Sequence, residues 1–142
     1  MDELLENIAA QKELINNTLK ILEKTLRRKR RTFLELAAIS TCLHNAYNGM
    51  ENLLKQVLKY LGVPIPETST SHKDLISLAV EQNVISVKLS KQLDDYRAFR
   101  HFFVHGYGVL LQEGPLKPLA EELPEIWDTF EKELDQFTAS LK

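Results

Sequence analysis

Between Phe33 and Leu61 the chain carries the feature that most restricts its fold. Phe33, Leu36, Ser40, Leu43, Tyr47, Met50, Leu54, Val57 and Leu61 follow one another in alternating steps of three and four. A 3.5-residue repeat kept up this long predicts one long helix packed along a bundle or coiled-coil seam. Gly62-Val63-Pro64-Ile65-Pro66 predicts its end, because proline cannot continue a helix and glycine readily caps one. Cys42 and His44 fall inside this helix and read as packed core or edge residues, without partners at metal-binding spacing.

The flanking segments follow the same rule. Leu5, Ile8, Ile15, Leu19, Leu22 and Leu26 mark an earlier amphipathic helix of about 25 residues, interrupted only by Lys12. The polar run Glu67–Ser71 suits an N-cap region. A short helix is expected after it, burying Leu75, Ile76, Ala79 and Val80, with His72 as a surface residue in its first turn. Val84–Val87 has strand-like residues but no partner strand, and reads as a connector. Leu89, Leu93, Tyr96, Arg100, Phe103, Tyr107 and Leu110 form a further stripe, which aims Arg100 and Tyr107 at something buried. Gln112–Lys117 predicts a break, and Leu123, Trp127, Phe130, Leu134, Phe137 and Leu141 a last helix. The expected fold is all-α: four long helices plus one short helix in an up-down bundle, a single helical domain over 1–142. So much apolar helix surface also predicts a homodimer.

Composition bears on what such a bundle can do. No apolar run approaches the ~20 residues that span a bilayer, and the acidic start lacks the apolar core of a signal peptide, so a cytoplasmic protein without membrane contact is expected. One cysteine excludes an internal disulfide. The net charge of −2 argues against a general nucleic-acid coat protein. Charge is unevenly spread, however: residues 1–31 hold eight basic and five acidic side chains, residues 113–142 three and eight. Arg27, Arg28, Lys29, Arg30 and Arg31 are consecutive. Such a run is a solvated helix end in the plain reading and a phosphate-contacting, RNA-binding patch in the sharper one.

Chemistry concentrates in Tyr96–Leu111, YRAFRHFFVHGYGVLL, which holds two of the four histidines, two arginines and two tyrosines. Gly106 and Gly108 loosen a helix there, so His105 and Tyr107 are expected where it frays or ends. Three readings stay open. His101 and His105, four apart, have the spacing for a shared metal ion, but no third ligand follows and no metal is expected. The polar groups could satisfy one another structurally. Or Arg100 could hold a phosphate through its fork of donors while His105 moves a proton. RNA brings its own nucleophile, the ribose 2′-hydroxyl, so such a site needs no cofactor. One histidine cannot serve as acid and base together, and a dimer sharing a cleft would supply the second.

The segment Arg100-His101-Phe102-Phe103-Val104-His105 resembles the Arg-polar-x-x-x-His signature of HEPN-domain ribonucleases. With Gly106-Tyr107 it is similar to the longer Arg-x-x-x-x-His-x-Tyr form of the HepT toxins. LDDYRAF before it and AYNGMENLLKQVLKYLG in the heptad helix extend the resemblance over about residues 35 to 112. The resemblance implies a toxin of a toxin–antitoxin pair that cuts RNA, such as tRNA or mRNA, without metal in a composite site of a homodimer. It implies catalytic roles for Arg100 and His105, a supporting role for His101, and Tyr107 as the hydroxyl that a minimal nucleotidyltransferase antitoxin would modify with AMP. A nucleotide there would add bulk and negative charge where the substrate phosphate must bind. The alternative on the same helices is a catalytically silent HEPN-type module that binds a nucleotidyltransferase partner or a nucleotide.

Overall fold

In the computed structural model the described residues are 1–28, 32–68, 71–105 and 111–142. They form five helices: α1 (Asp2–Leu26), α2 (Phe33–Tyr60), α3 (Ser71–Glu81), α4 (Val87–Val104) and α5 (Glu113–Ser140). The described residues are all-helical in architecture, with four long helices and one short one.

The heptad helix α2 is the hub. Its buried residues include Leu43, Tyr47, Met50, Leu54 and Val57 on the expected stripe, but also Ile39, Cys42, Ala46, Leu53 and Leu58 on other faces. A helix that buries side chains on several faces belongs in the middle of a bundle. It packs against α1, α3, α4 and α5. Only Phe33 departs from the stripe: standing in the first turn, beyond the reach of its neighbours, it is exposed.

The ends of α2 follow local rules. Thr32 caps it, and the Thr32 backbone N–H donates to the Glu35 carboxylate at 2.9 Å. At the other end Gly62 adopts φ 75°, the Val63 N–H donates to the Leu58 carbonyl and the Gly62 N–H to the Lys59 carbonyl. That is a left-handed C-terminal cap of the Schellman type. The same geometry closes α3, with Asn83 at φ 62° and the Val84 N–H on the Ala79 carbonyl. The connector Val84–Ile85 is thereby turned inward and buried.

On α1 the buried set is Leu4, Ile8, Ile15 and Leu22, so Leu4 takes the inward place expected of Leu5. Lys12, the polar interruption, reaches across to Asp135 of α5 at 2.5 Å. Trp127 Nε1–H donates to Asn16 Oδ1 at 2.8 Å, a second tie between α1 and α5. Gly49 lets α1 approach α2: a Cβ there would lie 2.6 Å from Ile15 Cγ1.

The expected break at Gln112–Lys117 is corrected by α5, which starts at Glu113 and contains Pro118 and Pro124. Gly114 and Pro115 stand in its first turn, where backbone N–H groups have no partner within the helix, so they do not end it. Farther in, each proline gives up one backbone hydrogen bond. Burial of Leu116, Ala120, Leu123 and Ile126 along the same side offsets that loss.

Candidate functional site

The site sits on the last turns of α4, and the rest of the fold fixes that helix. Ser86 Oγ accepts from the Leu89 N–H as N-cap. Glu133 of α5 accepts from both the Ser86 N–H (2.5 Å) and the Ser86 hydroxyl (2.9 Å). Leu89, Leu93 and Tyr96 are buried, and the Tyr96 hydroxyl donates to the Leu119 carbonyl at 2.7 Å. Beyond Tyr96 the helix rises to the surface. Arg100 and Phe103 are half-buried, His101, Val104 and His105 exposed. The helix ends at Val104 with His105 as its C-cap, at the expected loosening before Gly106.

Arg100 does not point into empty space. Its Nε–H donates to Asn48 Oδ1 of α2 at 3.0 Å. The Asn48 amide nitrogen lies 3.0 Å from His44 Nε2, and the Phe103 ring packs on the His44 ring with centroids 5.4 Å apart. Phe99 stacks on Phe103 at 5.8 Å. Burial, with the Arg100 charge beside it, holds the His44 imidazole below its ordinary pKa, while Glu51 pulls the other way. Among the described residues no carboxylate pairs with Arg100. One turn along α2 is a second polar pair. The buried Glu51 carboxylate meets His72 Nδ1 of α3 at 2.7 and 2.9 Å. The Tyr47 hydroxyl is buried beside it without a well-formed hydrogen bond, and burial and the Glu51 charge push its pKa up.

The other candidate residues are placed as follows. The His101 and His105 rings lie 4.2 Å apart by centroid, as expected of an i, i+4 pair. No group of three His, Cys, Asp or Glu side chains suited to a metal forms among the described residues. Arg27 forms an exposed ion pair with Glu23 at 2.6 Å at the end of α1, and Arg28 lies 3.8 Å from the half-buried Glu35 in the first turn of α2. Lys29, Arg30, Arg31 and Tyr107 lie outside the described residues. Clefts of about 890, 770 and 490 Å³ open elsewhere, and none is lined by Arg100, His101 or His105.

Sequence reading missed Asn48 as the partner of Arg100, took His44 as a packed core or edge residue without seeing its tie to Asn48, and placed His72 on the surface. A signal was available. His44, Asn48 and Glu51 stand at i, i+4 and i+7 of the heptad helix, a polar stripe beside the apolar one. What faces that stripe depends on how α3 and α4 dock, which spacing does not encode.

The fold and the site thus define an all-α bundle presenting an arginine–asparagine–histidine chain beside two surface histidines. Residues 38–141 match the family model for HepT-like protein, most of the chain and all of α3, α4 and α5. The chain belongs to the HepT-like family, a HEPN-type helical family of toxin-like proteins. No curated protein and no solved structure matches it. Among the described residues no helix is long and apolar enough to cross a membrane.

Proposed function

We propose that the protein is a metal-independent endoribonuclease of the HepT toxin type, acting in the cytoplasm and held in check by a minimal nucleotidyltransferase antitoxin. The observation that carries this reading is the state of Arg100. A half-buried arginine is costly unless it is paired or has work to do. Here its fixed partner is a neutral amide, so its full positive charge stays available for a phosphate.

In this mechanism Arg100 holds the scissile phosphate and supports the charge that builds on it as the ribose 2′-hydroxyl attacks. His105, exposed at the helix end, takes the hydroxyl proton. A second His105, from a second copy, protonates the leaving 5′-oxygen, and the product end is a 2′,3′-cyclic phosphate. His101, against His105, supports its orientation. A groove completed by dimerisation would bring the two copies of these groups together. Exposed Leu14, Ile21, Leu34 and Val104 offer apolar surface for a partner. Tyr107, two residues past His105, is the hydroxyl that AMP transfer would block.

Purified protein should cut RNA in EDTA, leaving cyclic phosphate ends, and sediment as a dimer at micromolar concentration. Arg100→Ala and His105→Ala should each lower the rate by about a hundredfold or more. Variants that cut as well as the parent would show the activity lies elsewhere. Intact mass after incubation with the antitoxin and ATP should rise by whole AMP units, and Tyr107→Phe should abolish the rise.

A further inference from the structure

We propose that Asn48 and His44 of α2 are positioning residues for Arg100, setting its guanidinium so that the Nη edge is presented to a bound phosphate. The inference deepens the nuclease reading above and rests on it for its catalytic consequence.

The hydrogen bonds admit one arrangement of protons. A guanidinium Nε–H can only donate, so the atom of Asn48 that faces it at 3.0 Å must be the amide oxygen. The amide nitrogen then donates to His44 Nε2, also at 3.0 Å, which must carry no proton. The ring proton therefore sits on Nδ1, an atom that is buried and has no hydrogen-bond partner among the described residues. Turning the Asn48 amide over would set two donors against each other at Arg100. Protonating His44 would do the same at Nε2. Arg100 thus decides which way the Asn48 amide points and Asn48 decides the His44 tautomer, while the bond from Asn48 to His44 holds the amide where it meets the guanidinium.

Two features make this a device for holding an anion rather than for stability alone. An aspartate at position 48 would bind the arginine more strongly but would cancel its charge; the amide fixes it without doing so. Phe103, three residues past Arg100 on α4, packs on the His44 ring, so the helix that carries the arginine also immobilises the histidine. A forked donor locked before the substrate arrives needs less reorganisation in the transition state.

The test combines kinetics with the Arg100 Nε–H proton resonance of the full-length protein. In the parent that resonance should be observable and slow to exchange with solvent. Asn48→Leu should abolish it and lower kcat/KM on a labelled oligoribonucleotide by about ten- to hundredfold, mostly in kcat. His44→Gln should broaden it with a smaller loss. Asn48→Asp should keep the resonance yet lose activity, a separation that a purely structural role would not produce. The double variant Arg100→Ala/Asn48→Leu should be no slower than Arg100→Ala, because the two act as one unit. Should Asn48→Leu fail to fold, Asn48→Ala replaces it. A resonance that survives in Asn48→Leu, or losses that simply add in the double variant, would overturn the proposal. A parent that cuts no RNA would instead remove the nuclease reading, and the resonance alone would then decide whether Asn48 holds Arg100.

Discussion

His44 shows how a single side chain can be ordinary in sequence and decisive in place. Half-buried next to the Arg100 charge, it resists protonation in the folded protein, and Glu51 offsets this only in part. Above its ordinary value of 6.5 the ring is neutral whether the chain is folded or not, and nothing is lost. As pH falls through that value the unfolded chain takes up the proton first, so stability drops until the folded pKa is passed. Melting temperatures between pH 7.5 and pH 5 should therefore fall in the parent. In His44→Gln the fall should be smaller; an identical slope would mean that other groups govern it.

At the level of the element, two glycines behave differently under the same change. Gly62 lies in open space at positive φ, so alanine there pays only for a left-handed backbone, about 1 kcal/mol. Gly49 has ordinary helical backbone, but its missing Cβ is where Ile15 and Gln11 of α1 sit. Alanine there must displace the buried Ile15 side chain or push α1 outward, and about 1–3 kcal/mol of stability should go with it. Denaturant unfolding of both variants checks the pair. The opposite order would mean that α1 is less tightly seated than its contacts indicate. The prolines of α5 carry a related lesson. Proline and glycine mark Gln112–Lys117 as a break only when the chain is read locally; a buried apolar side running through Leu116 and Ala120 carries the helix across it.

For the molecule as a whole, the uneven charge is where fold and function meet. The Arg27 and Arg28 side chains are exposed, so water screens their pairs with Glu23 and Glu35. Replacing Arg27, Arg28, Lys29, Arg30 and Arg31 by glutamine should weaken RNA binding and flatten its dependence on salt, with little change in melting temperature. Unchanged affinity would leave the run as a solvated helix end. The helices themselves were legible beforehand. Apolar spacing found all five, and the Arg-x-x-x-x-His-x-Tyr pattern led to the family that residues 38–141 match.

Periodicity and capping residues specify helices because they act within a few residues of chain: the heptad from Leu36 to Leu61 and the caps at Thr32 and Gly62 needed nothing distant. Position 100 could be singled out in the same way, as an arginine on an apolar stripe. Its partner could not. Asn48 lies 52 residues earlier, and Phe103 and His72, which meet His44 and Glu51, lie later in the chain, on helices α4 and α3 that face α2 only once the bundle has closed. Hydrogen bonds of that kind depend on how one helix is rotated against another, and the packing of the whole core sets that rotation.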